Sequence, residues 1–331
     1  RSIESIVSEV KALNKAGAKE ILLLGQNVNS YHDKGSAETY TSTQYAPATG
    51  FSNMYKSRAG AGARFYHLLD AVSQVDPEMR IRFTSPHPKD FPDECLQLVA
   101  ERPNICKSLH LPAQSGNTEV LARMRRGYSK ESYLDLVKRA RAIIPGVSIS
   151  TDIIAGFCGE TEEEHADSLD LMRSVRFDQA FMFAYSLREK THAARNFADD
   201  VPQDVKLQRL QQIIDIFRSE VQKKNEEECL GRVELVLVEG PSKKSTEDSP
   251  ALTGRTDTNK RCVFEEKELA QLPAFLEAVK GEAMGKRLPR KGDYVAVTIT
   301  AVRGHGLVAR PMALTTNLEF QSLASKLVVR E

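Results

Sequence analysis

Residues 147–185, VSISTDIIAGFCGETEEEHADSLDLMRSVRFDQAFMFAY, decide the fold. The stretch 147–155 is a short, largely apolar run of the kind that forms a strand covered on both faces. Gly156 and Gly159 turn the chain. Thr161 with Glu164 three positions on is a capping box, and the acidic run 162–164 suits the positive end of a helix dipole. That helix is predicted to run to Val175, and 179–185 reads as a second strand. A strand, a crossover helix and a second strand in one sheet are joined right-handedly and lie parallel.

Working outward, the same alternation recurs four times. A helix with Ile3, Ile6, Val7, Val10 and Leu13 on one face stops at Gly17 and leads to a strand at 20–25. Helices near 64–75 and 90–101 precede strands at 80–85 and 107–111, and helical segments at 117–125 and 129–143 feed the strand at 147. The fold class is therefore α/β, with a parallel sheet or barrel. No GxGxxG follows the first strand, which removes the main support for a dinucleotide-binding sheet. Residues 36–63, rich in Ser, Thr, Tyr, Ala and Gly without period, break the rhythm as a long surface insertion. A long amphipathic helix at 202–231 then changes the grammar to pure β. Five short strands (233–240, 251–255, 261–264, 294–302 and 306–310) predict a small OB-like barrel, followed by a loose tail after Thr316. The expected divisions are 1–228, 229–316 and 317–331.

The chain has 331 residues, with 46 Lys+Arg against 45 Asp+Glu, which excludes a polybasic protein but not a local cationic patch. No stretch approaches 18 consecutive apolar residues, so no membrane span is expected. Cys95, Cys106, Cys158, Cys229 and Cys262 are scattered, and no CxxC or CxxxCxxC motif is present. They write no local zinc or iron–sulfur site and suit a reducing compartment as free thiols. The chain opens on Arg1 directly inside a helical pattern, and it reads as the interior of a longer polypeptide.

Chemistry in such a barrel sits where strands end at their carboxyl side. Those ends are polar here: Gly25-Gln26-Asn27-Val28-Asn29, Thr84-Ser85-Pro86-His87-Pro88, His110 through Gln114-Ser115-Gly116, Ser150-Thr151-Asp152, and Tyr185-Ser186. Amides, hydroxyls and one carboxylate on a single rim would hold a polar, adenosine-bearing cofactor by many hydrogen bonds. No GxSxG, HExxH or carboxylate pair points to hydrolysis, and no catalytic side chain or metal ligand is assigned. Arg123, Arg125, Arg126, Lys130, Lys138, Arg139 and Arg141 form a basic cluster that could meet phosphates beside this rim. In the β-rich part, 16 basic residues face 13 acidic ones from Cys229 onward. Arg255, Lys260, Arg261, Lys291, Arg303 and Arg310 are its candidate RNA contacts.

LLGQNVNSY (23–31), RFTSPHPKDF (82–91), HLPAQSGN (110–117) with MRRGYS (124–129), DIIAGFCGETEEE (152–164) and FAYSLREKT (183–191) resemble, in order and spacing, the radical S-adenosylmethionine tRNA methylthiotransferases of the MiaB type. The insertion and Cys158 look most like the animal mitochondrial branch. The resemblance covers residues 1 to about 315. It implies a radical-SAM partial barrel followed by a TRAM domain, and methylthiolation at C2 of an N6-isopentenyladenosine beside the tRNA anticodon. It implies S-adenosylmethionine, two 4Fe–4S clusters and a reductant in the full-length protein, with the anticodon stem-loop as partner and a mitochondrial, with a cytoplasmic, location. Gly25 and Gln26 match positions near the cofactor, with Ser85, Gln114, Ser115, Asp152 and Tyr185 as further candidates. Against the family pattern, the CxxxCxxC loop and first barrel strand would precede Ser2, so this chain alone is expected neither to assemble the radical cluster nor to turn over. The alternative expectation is a non-catalytic isoform, RNA-binding or kinase-regulatory, with a kinase activator protein as partner.

Overall fold

The computed structural model describes residues 1–36, 38–40, 51, 60–271 and 285–327, so most of the insertion expected at 36–63 lies outside the described residues. All five expected parallel strands are present. In chain order the first part comprises α1 Ile3–Lys15, β1 Glu20–Leu23, β2 His32–Asp33, β3 Ala63–Arg64, α2 Phe65–Ser73, β4 Arg80–Phe83, α3 Asp93–Glu101 and β5 Ser108–His110. It continues through α4 Thr118–Arg123, α5 Lys130–Ile143, β6 Ser148–Ala155, α6 Glu162–Val175, β7 Gln179–Ala184, α7 His192–Asn196 and the long α8 Gln203–Cys229. β1 pairs with β4, and β5 with β6 and β6 with β7, all parallel. Ile81 joins the two groups, its N–H donating to the Asn104 carbonyl (2.8 Å) and its carbonyl accepting from Cys106 (3.0 Å).

Local chemistry sets the helix starts. The Thr161 hydroxyl accepts from Glu164 N (3.2 Å) while the Glu164 carboxylate accepts from Thr161 N (3.0 Å), the expected capping box. Asn117 and Ser129 cap α4 and α5 in the same manner. One face of each strand packs on the helices, with Ile21, Ile81, Leu109, Ile149, Ile153 and Ala180 buried. The other face carries Leu22, His110, Asp152 and Phe181 and is largely open. Gly116 has a packing reason: a Cβ there would come within 2.6 Å of Ser168 Cα on α6, so only glycine lets this turn pass.

After α8, strands β8 Val233–Pro241, β9 Ala251–Arg255, β10 Arg261–Glu265, β11 Tyr294–Arg303 and β12 Gly306–Thr315 close into a barrel in the order β10-β12-β11-β8-β9. The parallel β10–β12 pair completes it. β12 runs five residues beyond the expected 306–310. The loose tail expected after Thr316 needs correcting, because Asn317–Leu327 is helical. The Glu78 carboxylate accepts from Asn317 N (2.6 Å) and Leu318 N (3.2 Å), supplying an anion to unpaired donors at that helix start.

This small barrel is fastened across the amino-terminal ends of the parallel strands. Arg80, 1% exposed, donates to the carbonyls of Arg255 (2.7 Å) and Leu235 (2.8 Å) and lies against the Tyr294 ring. Arg82 donates to the Thr256 and Asp257 carbonyls (2.8 and 3.0 Å) and pairs with Glu20. Lys107 N donates to Asp257 (3.1 Å), and the Ser148 hydroxyl to the Thr258 carbonyl (2.7 Å). The loop 256–260 therefore closes the base of the parallel sheet, and the carboxyl ends remain the accessible mouth.

Candidate cofactor cleft and nucleic-acid interface

At that mouth lies a cavity of about 500 Å³ lined by Leu24, Gly25, Gln26, Asn27, Ser85, Pro86, His87, Pro88, His110, Pro112, Gln114, Arg126, Tyr128 and Asp152. Five of the seven cofactor candidates, Gly25, Gln26, Ser85, Gln114 and Asp152, meet here. Asn27, Ser85 and Gln114, at the ends of the adjacent strands β1, β4 and β5, all hold left-handed backbones (φ 53°, 56° and 70°). Non-glycine residues occupy that region at a cost, and runs of them mark sites whose surroundings enforce the geometry. Hydrogen bonds do the enforcing: Val28 N to Ser85 O (3.3 Å), Gln114 N to Asp152 O (2.8 Å) and Ile154 N to Gln114 O (2.9 Å). The Asn29 amide bridges from β1 to the other loop, donating to His87 O and accepting from His87 N, each at 2.8 Å.

His110 is held between Ser150 Oγ (2.9 Å from Nδ1) and Asp152 Oδ1 (3.4 Å from Nε2). It thereby orients the one carboxylate of the cleft. Burial, reinforced by Lys89 and Arg126, pulls the His87 imidazole down to about 4. The ring is neutral at ordinary pH, and because Nδ1 accepts from Lys89 N (3.2 Å), its proton is placed on Nε2. Tyr128 donates to the Pro112 carbonyl (2.9 Å) and fixes the wall beside His87.

Two candidates fall elsewhere. Ser115 is 1% exposed and accepts from Asn117 N (3.2 Å) in the turn before α4, so it is a structural hydroxyl. Tyr185 packs on Phe157 (ring centroids 4.8 Å apart) under the Lys206 ammonium (5.4 Å), away from the cleft. His87, Tyr128 and the single cleft cation Arg126 complete the lining. The repeated prolines around His87 were the available signal for a rigid wall.

Most of the basic cluster is spent within the fold. Arg123 pairs with Glu164 (2.6 Å), Lys130 with Asp167 and Asp170 (3.4 and 3.2 Å) and Arg139 with Asp93 (3.1 Å), while Arg141 donates to the Val175 carbonyl (2.5 Å). Arg125 and Arg126 form no ion pair with any described residue; Arg126 lines the cleft and Arg125 is exposed. In the small barrel, Lys260 must be removed from the RNA contacts. It is 8% exposed, with its ammonium on Asp178 (2.7 Å) and Asn225 (2.5 Å) under the parallel sheet. Arg261, Lys291, Arg303 and Arg310 are exposed, and Arg255 is half-buried beside Glu239 (3.3 Å). Strand register sets Arg261 beside Arg255 and, through Gly306, beside Arg303, in one cationic belt.

The cysteines do not fit a metal cluster. All five are free and buried, and burial drives Cys95, Cys106 and Cys262 up to about 12, far from the thiolate a metal requires. Among the described residues no three His, Cys, Asp or Glu side chains are grouped to hold an ion. Iron and sulfide reconstitution of this chain is expected to leave far less than one cluster per molecule, by iron analysis; near-stoichiometric iron would contradict this. No described helix is long and apolar enough to cross a membrane.

The radical SAM superfamily model matches residues 1–172. Over 316 residues the chain is 49% identical to the Mus musculus protein named Mitochondrial tRNA methylthiotransferase CDK5RAP1, covering 96% of this chain and 52% of that protein. An Oryza sativa CDK5RAP1-like protein is 49% identical over 321 residues, covering 97% and 52%. The Chlorobium limicola tRNA-2-methylthio-N(6)-dimethylallyladenosine synthase is 48% identical over 306 residues, covering 92% and 58%. The chain thus spans about half the length of the curated relatives it matches.

Proposed function

We propose, from the premise that this chain belongs to the radical SAM superfamily, that it forms the cofactor-binding and RNA-binding part of a tRNA methylthiotransferase acting on N6-dimethylallyladenosine beside the anticodon. The observation that carries the reading is the cleft itself. Its polar strand-end groups, placed by three left-handed residues, lie inside the stretch that the superfamily model matches.

S-adenosylmethionine, if bound there, would supply a methyl group, and one-electron chemistry only with an electron donor besides the described residues. The chain's own residues bind and orient. Asp152, beside His110, would accept hydrogen bonds from the cofactor's hydroxyls, and the amides of Gln26, Asn27 and Gln114 would hold its polar groups. Arg126 would pair with the cofactor's carboxylate, and the neutral His87 would offer its Nε2 proton. The cysteines present fit no cluster. The exposed Arg125 and the belt of Arg255, Arg261 and Arg303, with Lys291 and Arg310, would follow the phosphates of an anticodon stem-loop. A mitochondrial location, as in the mouse relative's name, belongs to this proposal.

The test is binding of a fluorescent anticodon stem-loop across a salt series. Saturable binding is expected, and Arg261→Gln and Arg303→Gln should each lower the slope of log affinity against log salt by about 1. Binding that is unsaturable, or slopes unchanged in both variants, would contradict the assignment.

A further inference from the structure

Arg126, the arginine of the cleft lining, stands in a strained turn shortly after α4. It lies between two left-handed residues, Arg125 (φ 56°) and Gly127 (φ 73°). Such a backbone keeps its shape only where its surroundings over-determine it. On the α4 side the turn is held by Arg125 N donating to the Ala122 carbonyl and Arg126 N to the Leu121 carbonyl, each at 2.9 Å. On the other side stands Tyr128, buried, with its hydroxyl on the Pro112 carbonyl. Burial pushes that phenol up to about 12, so the donor keeps its proton at ordinary pH. Tyr128 is in turn covered by a residue from much earlier in the chain. Phe51 forms an antiparallel bridge with Tyr128, sets its ring 5.5 Å from the Tyr128 ring and is only 6% exposed. A residue from the stretch expected to be a surface insertion therefore backs the wall of the cleft.

We infer that Phe51 is a positioning residue for the cofactor: seated on Tyr128, it holds the turn that presents Arg126 to the cofactor's carboxylate. The inference rests on the cofactor cleft proposed above and adds a determinant from outside it, since Phe51 is not among the lining residues. No ion pair with a described residue steers the Arg126 guanidinium, so its aim follows from its backbone. Bonds between an arginine and a carboxylate weaken steeply when misaligned. Truncating Phe51 uncovers the Tyr128 ring and removes one support of the turn. The adenosine half of the ligand would rest on the strand ends at Gly25–Asn27, Gln114 and Asp152, which this turn does not carry.

The experiment titrates the full chain by calorimetry with S-adenosylhomocysteine and with 5′-methylthioadenosine, which lacks the amino-acid carboxylate. The unsubstituted protein is expected to bind S-adenosylhomocysteine at least about tenfold more tightly, as a hydrogen bond to a charged group allows. Phe51→Ala should cut that advantage to within about threefold and leave the affinity for 5′-methylthioadenosine unchanged. Phe51→Leu, which keeps an apolar cover on Tyr128, should fall between. Arg126→Gln should show the same loss as Phe51→Ala, and combining the two should cost nothing further, because both act on one contact. A Phe51→Ala variant that keeps the full advantage, weakens both ligands equally as a merely structural residue would, or adds its loss to that of Arg126→Gln overturns the inference while the cofactor reading stands. Equal affinity for the two ligands in the unsubstituted protein overturns it likewise. Failure of the unsubstituted protein to bind either ligand removes both.

Discussion

Asp178→Ala is expected to lower stability by about 3–5 kcal/mol, because it strips the carboxylate that lies between two buried ammonium groups. Lys224 and Lys260 approach Asp178 at 2.8 and 2.7 Å, and all three residues are less than 9% exposed. The same carboxylate accepts from Ile149 N (2.9 Å) at the base of β6. Asn225 completes the cluster, accepting from Lys260 and donating to the Gly304 carbonyl (2.9 Å). One side chain thus ties together the parallel sheet, α8 and the small barrel. Burial opposes ionisation of Asp178, but Lys260 and then Lys224 outweigh it and hold the carboxyl below its usual range. A depressed carboxylate contributes stability that is present above its unfolded value and lost as pH falls through the folded one. Lys260 behaves in the opposite sense: Asp178 overcomes the effect of burial and raises it, so its share is lost at high pH as the folded value is crossed. Urea unfolding of Asp178→Ala should therefore show a deep loss at neutral pH and a weaker dependence at the acid end. Lys260→Met should lose less, since Lys224 still neutralises the carboxylate. A loss under about 1 kcal/mol for Asp178→Ala would show that solvent reaches the cluster.

Asp152→Ala should weaken S-adenosylmethionine by roughly 10- to 100-fold, the value of about 1.5–3 kcal/mol for hydrogen bonds to a charged acceptor. Fold stability should change little, because the Asp152 side chain is 28% exposed and its structural role runs through its backbone carbonyl. Ser115→Ala offers the contrast. Its hydroxyl serves the turn before α4, so thermal stability should fall while the affinity of the remaining folded protein holds. Calorimetric titration of both variants separates the two roles; equal affinity losses would contradict the division made between cleft and turn.

Much of the architecture was legible because its causes are local. The apolar runs at β1, β4, β5, β6 and β7 and the Thr161–Glu164 capping box depend on neighbours within a few residues. The polar strand ends were visible for the same reason, and Gly25, Gln26, Ser85, Gln114 and Asp152 do converge. What escaped was decided by distant partners. Nothing near Lys260 announces Asp178, and Arg80 meets a carbonyl 175 positions away. The helix Asn317–Leu327 starts on the Glu78 carboxylate, 239 residues earlier. Ser115 resembles its cleft neighbours in sequence, but the next bond of the chain turns it toward Asn117.

The most direct test of the account is a crystal structure of this chain with S-adenosylhomocysteine, the unreactive product form of the cofactor. The predicted result is adenosine density in the cleft between Gly25–Asn27 and the Gln114 and Asp152 strand ends, with the ribose on Asp152. A ligand found elsewhere, such as the roughly 820 Å³ cavity bounded by Ile6, Leu13, Leu22 and Tyr66, or no density at saturating concentration, would contradict it.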